Sequence, residues 1–423
     1  MSDGYSIMRS TPDAKGTPRR QSRSIETKSK ISAAAVDLLS YQGIAGLTHR
    51  QVAERANVPL AATTYHFATK RDIVASASNA ILDHLKTLLS DAVENCKQTT
   101  RRPAPTKQLL VEIVQQVAAA GSAGLALFEI LLESVRRPED TRLGEQWIDQ
   151  VTRAFLNSSL EGATSRARSA HTATDILMGL LLLTSSLRLT PDQVGAVLLR
   201  GGDPLRLWAV EIPAGENAEQ TSSGQDAGTN KTRQRILEEA INILVADGAS
   251  GLSYKVIADR VGLSAAAPSY HFASVIDLLR SAQLLLFEAS QLRYHSLVTA
   301  TNFKTIDQVQ FIDLTSVVFQ REVTEFGRFN LATFSIWLEA GRRPELRPLV
   351  WRAVVRHCQS SARLLNNYTS DFRIMDGLLY HTMFFGKLVR ILSTGTSNLD
   401  LMHVRAEFAS EIEAAIAGRH WLV

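Results

Sequence analysis

Cysteine is nearly absent from this 423-residue chain, with only Cys96 and Cys358 present. Two thiols cannot build a disulfide framework, and there is no CxxC or HExxH spacing. A reducing cytoplasm without a structural metal is the expectation. Long apolar runs are also missing. The longest uninterrupted stretch, Ile176–Leu183, falls far short of the ~20 residues a spanning helix needs. The N-terminus is polar and lacks the roughly 7–15-residue apolar core of a secretory signal. No membrane partner is therefore expected. Strand signals are poor, with few alternating Val/Ile/Thr runs and no Asn-Gly turn, so the class is all-α. There is no Gly-rich phosphate loop, no nucleophile elbow and no cluster of His and carboxylate metal ligands. Neither enzymatic activity nor a cofactor or metal is expected. With 45% apolar and 21% charged residues, the composition is that of a globular protein.

Charge is spread unevenly. The net formal charge is +4, yet residues 1–73 alone hold 11 basic and 6 acidic side chains. The N-terminal sixth thus carries the whole positive excess, which suggests contact with a polyanion. A merely solvated basic tail is the plainer alternative. Residues 1–24 are rich in Ser, Thr, Pro, Gly and Arg and read as a mobile basic arm. Residues 211–230 hold almost nothing that could pack and read as a flexible linker.

The chain also repeats itself. Aligning residue n with n+205 matches Ile31 with Ile236, Leu39 with Leu244 and Gly43 with Gly248. The match continues through Gly46-Leu47 against Gly251-Leu252 and Arg55 against Arg260. It runs on to Tyr65-His66-Phe67-Ala68 against Tyr270-His271-Phe272-Ala273 and Asp72 against Asp277. In all there are fifteen identities without a gap, where chance gives about 3 at ordinary composition. A second block pairs Phe128, Glu133 and Arg136-Arg137-Pro138-Glu139 with Phe334, Glu339 and Arg342-Arg343-Pro344-Glu345. A third pairs Ile176, Gly179, Leu180 and Leu181 with Ile374, Gly377, Leu378 and Leu379. Two copies of one unit are expected, a domain duplication rather than a solenoid.

Within a unit, Ile31, Ala35, Leu38 and Leu39 fall on one face of a helix from about Thr27 to Gln42. Gly43 stands where a left-handed C-terminal residue is expected. Thr48 is a natural N-cap, and Thr48-His49-Arg50-Gln51 has the spacing of a capping box. A short helix over Thr48–Ala56, a turn at Asn57-Val58 and a third helix over Pro59–Phe67 together make a helix-turn-helix.

These residues resemble the tetracycline-repressor (TetR) family of one-component regulators. The resemblance rests on Gly43-x-x-Gly46-Leu47-Thr48, the short helix-turn-helix and the closing Thr64-Tyr65-His66-Phe67-x-x-Lys70-x-Asp72. The second copy shares it through Gly248-x-x-Gly251-Leu252-Ser253 and Ser269-Tyr270-His271-Phe272. It covers ~50 residues in each half. It implies two units, each a three-helix DNA-binding head (25–84 and 231–289) followed by a helical effector and dimerisation bundle (85–210 and 290–423). The implied partner is a double-stranded DNA operator, with the third helix of each head in the major groove.

Two heads in one chain would make an intramolecular pseudo-dimer, joined through helices near Thr174–Leu189 and Phe372–Leu392. A further homodimer would present four heads. In the first head the groove-facing candidates are Leu60, Ala62, Thr63 and Thr64, none of them a bidentate base reader. Thr48, Arg50, Tyr65, His66 and Lys70 would mainly hold phosphates, which sets register rather than sequence. Arg19, Arg20 and Arg23 of the arm could add minor-groove contacts. The Tyr-His-Phe triplet could equally serve to pack its helix.

In the second head the corresponding residues are Ser253, Lys255, Ser264 (read as a cap), Ala265, Ser269, Tyr270 and His271. Pro268 should delay or kink that helix and push Ala267 out of the α region. Val275 stands where the first head has Lys70, and residues 231–278 have no net charge. The first head is therefore expected to dominate affinity.

The resemblance also implies a small effector, here unknown and largely apolar. Phe128, Trp147 and Met178 in the first half, and Trp337, Trp351, Tyr380, His381 and Met383 in the second, are candidates to line its site. Ordinary core is the alternative for each. Glu133 and Glu339 read as partners of the arginines that follow them. The leading reading is a ligand-responsive repressor. The alternative is a small-molecule-binding or protein-interaction module whose heads no longer grip DNA.

Overall fold

The computed structural model describes residues 18–100, 106–121, 123–137, 141–158, 163–210, 227–300, 306–368, 373–395 and 398–416. Among these the chain is helical, without strands. The first half contains α1 (Pro18–Gly46), α2 (His49–Ala56), α3 (Leu60–His66), α4 (Lys70–Thr100), α5 (Thr106–Ala119) and α6 (Ala123–Arg136). It continues with α7 (Thr141–Ser158), α8 (Ala163–Leu187), α9 (Pro191–Leu198) and the single turn α10 (Pro204–Leu207). The second half contains α11 (Ala227–Ala246), α12 (Tyr254–Val261), α13 (Ala267–His271), α14 (Val275–Ala300) and α15 (Gln308–Thr324). It ends with α16 (Gly327–Arg342), α17 (Arg347–Leu365), α18 (Ile374–Ser393) and α19 (Asn398–Ile416).

Most of the expected basic arm, residues 1–17, and of the expected linker, 211–226, lies outside the described residues. The remainder of both is helical: Pro18–Ser24 opens α1 and Ala227–Asn230 opens α11. The boundaries placed at 84/85 and 289/290 fall inside α4 and α14, so one continuous helix joins each head to the body behind it.

Local chemistry explains each corner. Gly43 has φ 66° and ψ −175°, and Gly248 has φ 73° and ψ 179°. Both φ values are positive, as expected, but ψ lies far from the left-handed helical value. This is a region that only glycine enters cheaply. Thr48 and Ser253 cap α2 and α12 by accepting from the N–H groups of Gln51 and Val256. Only half of the expected capping box forms at Thr48, because the Gln51 carboxamide accepts from the Thr48 hydroxyl and donates to Gln42. Asn57 and Gly262 end α2 and α12 in the left-handed conformation. Asp72 accepts from the Thr69 N–H while its own N–H bonds to the Thr69 hydroxyl, starting α4. Asp277 does comparable work for α14 with Ala273 and Ser274. Arg55 and Arg260 brace the second helix of each head against Asp37 and Asp247, at 2.9 and 2.8 Å.

The two halves meet along α8 and α18, close to the expected pair. A Cβ built on Gly179 would sit 1.9 Å from the Thr382 carbonyl oxygen, and one on Gly386 would sit 1.8 Å from that of Asp175. The two helices therefore touch backbone to backbone, and glycine is required at both points. These reciprocal contacts pair Gly179 with Gly386, not with Gly377 as the third sequence block has it. The helix ends agree, since α8 closes at Leu187 and α18 at Ser393. One window of α8, Ser169–Leu187, is apolar and long enough to cross a membrane, which the uninterrupted-run reading missed. It is 89% buried inside the protein.

Beside the glycines lies a buried charge cluster. Arg390 donates to both oxygens of Asp175, at 2.6 and 3.1 Å. Lys387, with no exposed surface, reaches Asp175 at 2.8 Å, Glu407 at 2.5 Å and Glu411 at 3.2 Å. Burial alone would pull the Lys387 ammonium down, yet the three carboxylates hold it above the ordinary lysine range. Burial pushes the Glu411 carboxyl up to about 7 despite Lys387, with Glu407 and Asp175 adding to the rise. Thr172 of α8 donates to Glu411 at 2.9 Å. The first half thus supplies Asp175, Thr172 and His171, whose Nδ1 lies 3.5 Å from Glu407, and the second half the rest.

The halves also exchange arginines. Arg342, at the end of α16, donates to the Leu39 and Ser40 carbonyls of α1 and to Glu129 of α6, at 2.9, 2.9 and 2.7 Å. Arg136, at the end of α6, donates to the Val245 carbonyl of α11 at 3.2 Å and to Ser335 of α16 at 2.7 Å. Each body thereby caps the first helix of the opposite head, where backbone carbonyls lack helical partners. The heads themselves touch where the Ala45 N–H donates to the Ser250 hydroxyl, at 3.2 Å. Glu133 and Glu339 do pair with the arginines after them. Glu133 binds Arg137 and Glu339 binds Arg343.

Candidate nucleic-acid interface and ligand cavity

The helix-turn-helix of the first head turns one face of α3 outward. Leu60 is 50% exposed and Tyr65 79%, with Ala61 and Thr64 exposed between them. In the second head Ala265, Ala266, Ser269 and Tyr270 occupy the matching places, with Tyr270 81% exposed. On α3, spacings of one, four and five residues put these four on one helical stripe, whereas Ala265 and Ala266 lie in the turn that precedes α13.

Two expected groove residues of the first head do not lie on this stripe. Thr63 is fully buried, donating to the Leu60 carbonyl at 2.8 Å and lying 3.3 Å from the His49 ring nitrogen Nδ1. Ala62 is half-buried. Ala61 and Ala266 belong on the exposed face instead, and a strict helical wheel of the seven-residue α3 would have found Ala61.

The phosphate candidates differ in access. Thr48, Arg50 and Lys255 are exposed and Ser253 is half-buried, but the hydroxyl oxygens of Thr48 and Ser253 are engaged as caps. Arg50 is paired with Glu54 at 3.1 Å on the surface, where such a pair is weak and easily exchanged for a phosphate. Lys70 is half-buried. Burial draws its ammonium below the ordinary lysine range, with Glu133 opposing and Arg137 reinforcing the shift. It therefore faces the body more than the solvent. His66 and His271 are half-buried, each edge-on to the tyrosine before it at 5.0 and 5.3 Å. Burial and nearby Arg233 hold His271 below the ordinary histidine range, so it brings little positive charge to a phosphate. Phe67 and Phe272 close the corners and are buried.

Pro268 behaves differently from expectation. It occupies the buried slot of Thr63, in the first turn of α13, and Ala267 is the first helical residue rather than one expelled from the helix. Proline is tolerated there because first-turn N–H groups have no helical partner. The helix does start late: α13 has five residues against seven in α3. Its N-cap is Ala266, without a side-chain bond, so Ser264 is not the cap. The hydroxyl lost at Thr63 is compensated locally. Tyr254 stands where His49 does and donates to the Phe272 carbonyl at 2.6 Å.

Behind the second head, α14 to α18 enclose a cavity of about 260 Å³. Trp337, Tyr380 and His381 line it. Trp351 and Met383 are buried nearby without lining it, and Phe128, Trp147 and Met178 are packed into the core of the first half. Leu131 stands where Trp337 does, in the same block as Arg136 and Arg342. Sequence reading missed the polar part of this wall. Glu322 is 5% exposed and receives Tyr294, Arg293 at 3.2 Å and Asn330 at 2.7 Å. Burial, with Glu322 alongside, pushes Tyr294 above the ordinary tyrosine range.

The rings are arranged in parallel pairs. Trp337 stacks on Phe385 at 5.5 Å and 17°, and His357 on His381 at 5.3 Å and 20°. Burial holds His357 down at about 4, and it holds His381 well below the ordinary histidine value, with His357 adding to the effect. No group of three or more His, Cys, Asp or Glu suited to a metal occurs among the described residues.

Among solved structures the chain is similar to one described as the crystal structure of multidrug binding protein EbrR complexed with imidazole. The identity is 26% over 48% of this chain and 99% of that one, with a TM-score of 0.32. No curated protein matches the chain. Residues 31–77, from mid-α1 through α2 and α3 into α4, match the family described as bacterial regulatory proteins, tetR family. The chain therefore carries, at 31–77, the helix-turn-helix head of the tetR-type bacterial regulators.

Proposed function

We propose that the chain is a DNA-binding transcriptional regulator, most simply a repressor, working as a single-chain pseudo-dimer. The observation that carries this reading is the pair of outward tyrosine-bearing faces, on α3 and α13, each at the end of a helix-turn-helix. The reciprocal contacts support a twofold arrangement of two like units. Gly179 meets Thr382 as Gly386 meets Asp175, and Arg342 caps α1 as Arg136 caps α11. Two-fold interfaces have this reciprocal property. The first head is the stronger grip, because α13 is shorter and residues 231–278 have no net charge.

A small molecule in the second-half cavity is the proposed signal. Helix α16 carries Asn330 and Trp337 in the cavity wall and Arg342 on the first head. A ligand that moves α16 therefore acts on the opposite head, provided it binds the DNA-competent and released states with different affinity.

Fluorescence anisotropy with DNA from the gene's own upstream region tests the reading. Saturable binding that weakens steeply with salt is expected. Salt-insensitive or non-saturable binding would leave an interaction module as the surviving alternative. Sedimentation separates the assemblies. A 46.5 kDa species carrying one operator supports the pseudo-dimer, and a species of twice that mass sinks it.

A further inference from the structure

We infer that the second-half cavity takes one uncharged, flat aromatic molecule per chain that carries both hydrogen-bond acceptors and a hydroxyl or N–H donor; this rests on the ligand-responsive reading above. Four polar atoms at the cavity wall are buried and have no hydrogen-bond partner among the described residues: Gln283 Oε1, Arg293 Nε, Trp337 Nε1 and His357 Nδ1. Buried polar groups are normally satisfied, so a cluster of unmet ones around one void marks a missing partner. Two of the four are obligate donors and one is an obligate acceptor. The occupant must therefore offer hydrogen-bond acceptors and at least one hydroxyl or N–H donor.

Charge narrows the class further. The carboxylate in the wall, Glu322, is already met by Arg293, Tyr294 and Asn330. Among the described lining residues a cation would find no free carboxylate, and an anion no ammonium or guanidinium that is not already paired, since Arg293 is held by Glu322. The histidines stay neutral at pH 7 and add none. Shape narrows it again. The parallel Trp337–Phe385 and His357–His381 pairs form flat walls suited to stacking. The volume lies a little below the ~300–1,000 Å³ of drug-sized sites, which suits two or three rings.

The first half does not repeat this chemistry. Leu131 stands at the position of Trp337, and Val151 at that of His357 by the same spacing. Neither offers a donor, and Trp147, whose Nε1 is also unmet, puts its buried indole where the second half has the small cavity-lining Ala353, so the stoichiometry is one per chain.

Calorimetric titration of the full chain, without DNA, with a trihydroxyflavone, ethidium and decanoate tests the inference. The flavone should bind at one per chain, at least about tenfold more tightly than either charged probe. Trp337→Phe keeps a ring and removes the donor, and His357→Leu removes a polar edge. Each should weaken the flavone about tenfold while melting close to the parent. The proposal is overturned by ethidium or decanoate binding as tightly as the flavone, by two sites per chain, by both variants binding unchanged, or by no flavone heat at millimolar concentration. None of these results touches DNA binding, so the regulator reading stands or falls separately.

Discussion

In the first head the inward side of the short helix is held by Thr63 against His49. In the second, Pro268 and Tyr254 fill the same two places, and the hydrogen bond moves to the Phe272 carbonyl. Behind the heads the contrast widens. The first body packs Phe128, Leu131 and Trp147 into a core, whereas the second builds a cavity from rings and unmet polar atoms. The corner that meets solvent has changed little while the interior has diverged. Burial constrains volume and polarity together, so a duplicated core can acquire a new role only where both change in step. The second half has done so around Trp337 and Glu322.

The largest effect should come from the seam common to both halves. Asp175→Ala leaves Lys387 and Arg390 buried with only one of the two carboxylates they share, Glu407, and should cost about 3–5 kcal/mol by denaturant titration. A loss like that of an exposed pair such as Arg55–Asp37, about 1 kcal/mol or less, would mean that the seam is not the structural centre. Next, Gly179→Val and Gly386→Val should each destabilise by about 1–3 kcal/mol or more, and to a similar extent, because both meet a backbone carbonyl. Unequal losses would break the reciprocity.

The heads should then separate in DNA binding. Tyr65→Ala is expected to weaken operator affinity about tenfold, the scale of one bond to a charged phosphate. Tyr270→Ala should cost clearly less. Equal losses would show the two grips to be equivalent. Since Lys70 is half-buried, Lys70→Ala should exceed Lys255→Ala only modestly. A reversed order would place the stronger grip in the second half.

The smallest effect concerns pH. Glu411 keeps its proton in the folded state to about pH 7, against an ordinary value of 4.5. Its contribution is present below 4.5 and is lost as pH rises through about 7, so the melting temperature should fall between about pH 4.5 and 7 and level off above. Glu411→Gln should flatten that fall. An unchanged slope in the variant would remove Glu411 as its source.

The sequence made the heads legible because their signals are local. The glycines at 43 and 248, the caps Thr48 and Ser253 and the closing Tyr-His-Phe each act within a few residues. Thr63 was misplaced because a threonine in a short helix reads as polar, whereas here its hydroxyl is satisfied internally. The third repeat block misled because leucine-rich helices match in several registers, and only the glycine contacts select one. The cavity network was not legible. Glu322, Arg293, Asn330 and His357 come from four helices, and no spacing along the chain announces that they meet. Arg136 and Arg342 were visible as a repeated motif. Their reach into the opposite half depends on long-range packing.

The exchanged arginines carry a consequence for how the molecule tolerates being cut. Because each body holds the far head, neither half is a self-sufficient object once its counterpart is taken away. Cleavage within 211–226 should leave two fragments that co-elute and still bind operator, while either fragment expressed alone should melt earlier and bind poorly. Co-expression of the separate pieces, followed by size exclusion, would reveal whether the covalent tie is needed for assembly or only for keeping the right two pieces together.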